Sequence, residues 1–215
     1  MNYLAHLYLA EEHAESLLGN LLGDFVKGAV GDSYSEEVRK GIELHRKVDR
    51  YTDSHAVVRA SLNLISPYRR RFAGVMVDIF YDHLLAKNWQ MYSAMPLADF
   101  SQNIYRVLKE HYAVLPARLQ QMLPYIIEED WLTSYKEIPA IDRALNRIAG
   151  RIVKRFGRDS SLLNSVEELQ ANYQQLEGNF HQFFPDLIDY VKAQRVLEDN
   201  RKQNGEMTEN ETLGR

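Results

Sequence analysis

The chain has 215 residues, a net charge of −4 and no cysteine. This length suits one domain, and the absence of cysteine excludes disulfides and thiolate-bound zinc, so that any metal must be held by oxygen and imidazole nitrogen. The acidic balance argues against a nucleic-acid binder. No stretch reaches the roughly 18 apolar residues of a membrane span, and the amino terminus lacks a signal pattern. We therefore expect a cytoplasmic protein with no membrane partner.

Hydrophobic periodicity, prolines and capping residues predict an all-α fold, a single-domain helical bundle over residues 1–199. The capping box Ser33-Tyr34-Ser35-Glu36 predicts the start of a helix that includes Val38–Thr52. The remaining predicted helices run from Ser66-Pro67 to about Trp89, and over Leu97–Tyr112, Ala117–Glu129, Ile138–Phe156, Leu162–Phe184 and Pro185–Leu197. Residues 200–215 contain Asn-Gly and almost no large hydrophobe, which predicts a disordered tail.

Two carboxylates interrupt the apolar segment Val75–Leu85. Asp78 and Asp82 lie about 40° apart on a helix, on the same flank as Val75 and Leu85, so both are expected to point into the core. Two carboxylates that share an interior repel each other unless a cation or a strong donor lies between them. Arg71 is the alternative to a metal as that donor.

Two other segments repeat this pattern. His45 and Asp49 continue the spacing of Val38 and Ile42 along a buried helix face, and Asp24 is expected to stack over Leu17 and Leu21 and face inward. A buried His–Asp pair is explained equally well by a hydrogen bond within the pair. One shared cation nevertheless accounts for all these groups, and for His6, more simply than several separate networks do.

The composition of this set favours a hard cation. Carboxylates with imidazoles suit Mn²⁺, Mg²⁺ or Fe²⁺ better than structural zinc. An open coordination position would lower the pKa of a bound water, and nearby arginines would receive negative oxygens, so the predicted reaction class is hydrolysis at phosphorus. The chain contains no Walker loop, G-x-G-x-x-G or G-x-S-x-G motif that points elsewhere.

Four ordered motifs resemble the acyl carrier protein phosphodiesterase family: Met1-Asn2-Tyr3-Leu4-Ala5-His6-Leu7; Gly19-Asn20-Leu21-Leu22-Gly23-Asp24-Phe25-Val26-Lys27-Gly28; His45-Arg46-Lys47-Val48-Asp49 with Thr52-Asp53; and Asp78-Ile79-Phe80-Tyr81-Asp82-His83-Leu84-Leu85 with Trp89. The motifs cover residues 1 to about 90, and length and helical pattern extend the resemblance to about 195. It implies a helical, rearranged relative of the HD-domain phosphohydrolases. It also implies Mn²⁺-dependent release of 4′-phosphopantetheine from the serine of holo acyl carrier protein, a reaction of lipid metabolism.

The resemblance also implies roles for particular residues. Metal ligands are expected among His6, Asp24, His45, Asp78 and Asp82, and catalytic residues among Asp24, Asp49 and His83. Asp49 or Asp53 would orient the attacking water, and His83 would protonate the leaving oxygen. The order Asp82-His83 reverses the usual His-Asp pair of HD domains, so the motif alone does not say which of these residues are direct ligands.

The basic residues near these motifs suggest a partner surface. Six arginines are expected to form a positive rim around the site: Arg39, Arg46, Arg50, Arg69, Arg70 and Arg71. Carrier proteins of this kind are small and acidic, so the rim would steer and orient them. The alternative is that these arginines only solvate helix faces.

Two other functions remain open at this stage. An HD-like phosphohydrolase acting on a free nucleotide needs the same metal but no docking face. A non-enzymatic helical binding protein with structural buried charges needs no metal.

Overall fold

The regular structure of the described residues is entirely helical, which confirms the predicted all-α class. The computed structural model describes residues 1–31, 33–157 and 160–213, without the side chains of Asp199 and of residues beyond 200. These ranges hold no strand. The α-helices are α1 Tyr3–Tyr8, α2 Ala14–Leu22, α3 Glu36–Ser54, α4 Ala56–Leu64, α5 Ala73–Lys87, α6 Leu97–Glu110, α7 Ala117–Glu128, α8 Trp131–Ser134, α9 Ile138–Phe156, α10 Val166–Ala171 and α11 Tyr173–Leu213. Short 3₁₀ helices lie at Pro67–Phe72, Trp89–Met91 and Tyr112–Val114.

Helix α5 lies at the centre of the bundle. It packs against α1, α4, α9 and α11, and Met76, Phe80 and Leu84 are fully excluded from solvent. Because neighbours surround its second half, the polar Asp82 and His83 are buried there together with the apolar residues. No helix in the described ranges combines the length and the apolar character that crossing a membrane requires.

Helices α2 and α3 approach each other through a pair of glycines. A Cβ on Gly19 would lie 2.7 Å from the Cα of Gly41 and would also clash with the carbonyl oxygen of Val38. Only hydrogen at both positions permits this backbone contact, a close approach for which glycine is used. The crossing brings the end of α2 against the side of α3 that carries His45.

Helix boundaries differ from the predicted signals at several points. The predicted helix Leu162–Phe184 is divided into α10, which begins at Val166, and the first part of α11, which begins at Tyr173. Ser35, two residues after the predicted Ser33, caps α3 by accepting a hydrogen bond from the amide of Val38 at 3.3 Å. Ser66 and Pro67 begin a 3₁₀ helix, and α5 starts only at Ala73. Pro185 lies inside α11 and does not divide it.

Burial on both sides of Pro185 explains its position inside a helix. A proline costs roughly 3 kcal/mol in a helix interior. Phe183, Phe184 and Leu187 are fully buried, and each contributes roughly 1.5–3 kcal/mol. This packing outweighs the local penalty. Helix α11 continues to Leu213, into the range of the predicted disordered tail 200–215. Since the side chains beyond 200 lie outside the described part, the tail stays a prediction.

Candidate metal centre

Three predicted residues meet at the contact of α1 with α3. The Nε2 atom of His6 lies 3.1 Å from Oδ1 of Asp49, and the Nε2 atom of His45 lies 3.2 Å from Oδ2 of the same carboxylate. The two imidazole rings stack with their centroids 3.7 Å apart. One potential ligand atom from each residue lies within 4.8 Å of the others. The prediction that these motifs share one centre therefore has a geometric basis for His6, His45 and Asp49.

The orientation of His45 is set by helix α2. Its Nδ1 atom lies 2.7 Å from the carbonyl oxygen of Asn20, which can only accept a hydrogen bond. Nδ1 therefore carries a proton, and Nε2 points toward Asp49. Gly23 makes room for the ring, because a Cβ at this position would lie 2.7 Å from the Cβ of His45 and closer still to the ring.

This donor set fits a divalent cation. A lone pair on Nε2 of His45 that faces a carboxylate oxygen is stabilised only if a proton or a metal lies between them. Neither ring nitrogen of His6 makes a hydrogen bond, although both are buried. Burial lowers the pKa of His6 to about 4, so protonation of its ring is unfavourable near neutral pH. Both histidines thus direct Nε2 at one carboxylate.

Asp24 lies at the exposed edge of the cluster. Its Oδ1 atom is 3.7 Å from Nε2 of His45, and its side chain is 43% exposed. The prediction that Asp24 faces inward is wrong, because α2 ends at Leu22 and the helical phase does not extend to Asp24. Its position at the mouth of the cluster leaves the carboxylate accessible to water and to a substrate.

Asp78 and Asp82 are separated rather than paired across a cation. Asp78 is partly exposed, as is Val75, and its Oδ1 atom accepts a hydrogen bond from the Met1 amino group at 2.9 Å. The prediction that Asp78 points into the core is therefore wrong, since its flank of α5 reaches the surface. The same amino group lies 3.9 Å from Asp49, so Asp78 lines the approach to the cluster.

Asp82 is fully buried, as predicted, but it serves the start of α1. Its carboxylate accepts hydrogen bonds from the amides of Leu4 at 2.7 Å and Ala5 at 3.2 Å. These amides have no partner within the helix, so Asp82 satisfies the amino-terminal end of α1 and fixes the helix that carries His6. Burial raises the pKa of Asp82 to about 7, an effect that the two amides oppose.

His83 contacts none of these groups. Its Nδ1 atom lies 2.8 Å from the carbonyl oxygen of Tyr135, and its Nε2 atom lies 2.9 Å from the hydroxyl of Tyr173. Lys87 donates to the same hydroxyl at 2.8 Å. The structure thus places the predicted proton donor on another side of α5, where both ring nitrogens already have partners.

Most of the predicted arginine rim is used within the fold. Arg69 donates to Glu167, Glu168 and the carbonyl of Ser161. Arg70 donates to Leu62 and Asn63, and Arg46 donates to the carbonyls of Val26 and Gly28. Arg71 lies beside the ring of Phe72. Arg39 is partly buried, whereas Arg50, which follows Asp49 in the chain, is exposed. The docking role of this rim stays a prediction that these contacts do not support.

Comparisons of this chain with a family model and with known proteins point to one family. The family model described as acyl carrier protein phosphodiesterase matches residues 1–187. A protein of Serratia proteamaculans named acyl carrier protein phosphodiesterase is 39% identical over 91% of this chain and 100% of its own length. A protein of Pectobacterium atrosepticum with the same name is 36% identical over the same shares. The chain belongs to this family.

No solved structure shows a significant match to the chain, so the predicted relationship to HD domains stays a prediction. The resemblance seen in the sequence motifs is confirmed by the family match. Two contributions to the site were missed: the carbonyl of Asn20 and the ring space at Gly23. Both lie inside a family motif, but a backbone acceptor and an absent side chain leave no polar pattern in a sequence.

Proposed function

We propose that this chain is a hydrolase that cleaves the phosphodiester between 4′-phosphopantetheine and the serine of holo acyl carrier protein, with Mn²⁺ as its metal and Mg²⁺ or Fe²⁺ as alternatives. Family membership and the shared name of full-length relatives support the substrate. We infer that His6, His45 and Asp49 would hold the metal. The expected set differed, because Asp49 was catalytic in it and the ligands included Asp24, Asp78 and Asp82.

The observation that carries the metal proposal is the fixed tautomer of His45. The carbonyl of Asn20 accepts a hydrogen bond from Nδ1, and this contact directs Nε2 at the carboxylate of Asp49. Hydrogen bonding to the far nitrogen is the usual way in which proteins orient a metal-binding histidine. When bound, a divalent cation would lower the pKa of water and neutralise charge on the phosphoryl oxygens.

The chain's own residues have separate tasks in this reaction. Hydrolysis adds water across the bond between phosphorus and the serine oxygen, so the water must lose a proton and the serine oxygen must gain one. Asp24 lies at the open edge of the cluster, where its Oδ1 atom is placed to accept the proton of water. Asp82 holds α1, and with it His6, in position.

Intact mass spectrometry tests the proposed reaction. Holo carrier protein is incubated with the chain and Mn²⁺, and we expect its mass to fall by that of phosphopantetheine less one water, leaving an unmodified serine. Addition of a chelator should stop the change, and excess Mn²⁺ should restore it. An unchanged carrier mass with metal-loaded, folded protein would refute the activity, and an equal rate in chelator would refute the metal requirement.

A further inference from the structure

A line of arginines that the sequence analysis did not use lies beside the proposed metal centre. Arg143, Arg147 and Arg151 are spaced four residues apart on α9 and therefore lie on one face of the helix. Arg118 on α7 is close enough to Arg151 to lower its pKa, after the larger effect of burial. We call these four residues the arginine face. All four are exposed, while the opposite side of α9 is buried through Ile141 and Leu145.

Most of this positive charge is uncompensated. Arg147 is held by Glu129 at 2.6 Å and lies over the ring of Trp131. Within the described ranges, no carboxylate lies within ion-pair distance of Arg118, Arg143 or Arg151. Three exposed guanidinium groups close together repel one another, and a fold does not need such an arrangement for stability. Since the whole chain has a net charge of −4, attraction for an anionic partner must come from a local patch of this kind.

The arginine face borders a cleft, and some residues that line this cleft adjoin residues close to the metal centre along the chain. The cleft has a volume of about 80 Å³, and its lining includes Asn2, Tyr3, Ile79, Arg143, Arg147 and Arg151. Asn2 and Tyr3 directly follow Met1, whose amino group lies 3.9 Å from Asp49, and Ile79 follows Asp78. The cleft is too small for a helix of a partner, so a protein must dock over it and not inside it.

We propose that the arginine face binds the acidic surface of the carrier protein and presents its modified serine to the metal centre. This inference rests on the proposed function. Arginine suits the task because its guanidinium group is always positively charged and attracts the carboxylates of an acidic surface. The face also replaces the rim of Arg46, Arg69 and Arg70, whose guanidinium groups are engaged within the fold.

Binding of holo carrier protein to the Mn²⁺-loaded chain tests this proposal, together with the kinetics of its cleavage. The double variant R143E/R151E should raise Kd and KM by about tenfold, with kcat changed much less, because rim charges act on association. Its salt dependence should be flatter than that of the wild type. The conservative variant R143K/R151K should restore most of the affinity, which a purely structural role of the two residues would not explain.

A matched control changes the same total charge elsewhere. Arg59 on α4 and Lys192 on α11 are exposed, and neither lines the cleft. R59E/K192E should leave Kd within about twofold of the wild-type value. Equal losses in this control would overturn docking at the arginine face and would indicate an effect of net charge alone. If R143E/R151E does not fold, the neutral variants R143Q and R151Q replace it.

The outcomes separate this inference from the proposed function. If the wild type cleaves the carrier and R143E/R151E binds it as tightly as the wild type does, the docking proposal fails and the proposed function stands. If the folded, Mn²⁺-loaded wild type neither binds nor cleaves the carrier, both fail. A loss confined to R143E/R151E and recovered in R143K/R151K supports both.

Discussion

The buried histidines His45 and His83 have similar partners at Nδ1 and different partners at Nε2. In each ring Nδ1 faces a backbone carbonyl, that of Asn20 for His45 and that of Tyr135 for His83. Nε2 of His83 then meets the hydroxyl of Tyr173, which can donate to it, whereas Nε2 of His45 meets the carboxylate of Asp49, which cannot.

The difference supports His45, and not His83, as a ligand of the proposed metal. The Tyr173 hydroxyl satisfies His83 with a neutral hydrogen bond, so this site is complete within the protein. His45 and His6 both direct nitrogens at one carboxylate, and such a cluster is completed by a positive charge. The family motif alone does not distinguish the two histidines. The partner of Nε2 distinguishes them and favours His45 as a ligand of the proposed metal.

The largest expected effect comes from replacing His45, and the same replacement of His83 is its control. H45Q should weaken Mn²⁺ binding by more than about 100-fold and abolish carrier cleavage, because it removes a ligand outright. H83Q should bind Mn²⁺ within about threefold of the wild type. Isothermal titration of metal into chelator-treated protein measures both. A larger loss of Mn²⁺ affinity in H83Q than in H45Q would place the metal at His83 and contradict the proposed difference between the two histidines.

Filling the space beside His45 should have the next largest effect. In G23A the new methyl group would overlap the imidazole and displace it from Asp49. We expect Mn²⁺ affinity to fall about 10- to 100-fold, the range typical of disturbed supporting contacts. Metal titration and circular dichroism follow binding and folding separately.

Gly178 provides the matched control for that substitution. It lies exposed in α11, and a Cβ there meets nothing within 4 Å. G178A should leave metal binding unchanged and increase the free energy of unfolding by roughly 0.5–1 kcal/mol. Wild-type Mn²⁺ affinity in G23A would show that the ring position at His45 is unimportant.

The pH dependence of stability tests whether the buried His83 is neutral in the folded protein. Burial lowers the pKa of His83 below its ordinary value of 6.5. A histidine with a lowered pKa in the folded state contributes stability that is fully present above pH 6.5 and is lost as pH falls through its folded-state pKa. Protonation would also remove the acceptor of the Tyr173 hydroxyl.

Chemical denaturation from pH 8 to pH 4 measures this contribution. The free energy of unfolding of metal-free protein should decrease toward low pH, and the decrease should be shallower in H83Q. Parallel curves for wild type and H83Q would contradict a neutral, buried His83.

The smallest effect is expected for Y173F. It removes the hydroxyl that joins His83 to Lys87 while keeping the ring beside the Lys87 ammonium, 4.5 Å from the ring centroid. The loss of these two hydrogen bonds, one of which is to the exposed Lys87, should reduce the free energy of unfolding by about 1 kcal/mol. Mn²⁺ affinity should remain at the wild-type value. A loss of metal binding in Y173F would connect the hydrogen bonds of His83 to the metal centre.

Local signals in the sequence predicted the helices better than they predicted the directions of the site side chains. The bounds of α9, Ile138–Phe156, agree with the prediction because a glycine with positive φ, Gly157, ends the helix locally. Asp24 was misplaced because the prediction extended the helical phase past Gly23, the C-cap residue at which α2 ends. The partners of His83 and Asp82 lie far away along the chain, so no local pattern could reveal them.

Pro185 and the arginine face are two further cases in which local sequence signals were not sufficient for a prediction. Tertiary burial of Phe183 and Phe184 keeps α11 continuous through a residue that ends most helices. The four-residue spacing of Arg143, Arg147 and Arg151 was visible in the sequence. Its significance depends on the cleft that the fold places beside it.

The most direct test of the metal centre is a crystal structure of the Mn²⁺-loaded protein with an anomalous difference map. We predict a peak within ligand-bond distance, roughly 2.0–2.6 Å, of Nε2 of His6, Nε2 of His45 and the carboxylate of Asp49. A peak at His83 or between Asp78 and Asp82 with none at His45, or no peak in crystals whose protein cleaves the carrier, would contradict the account.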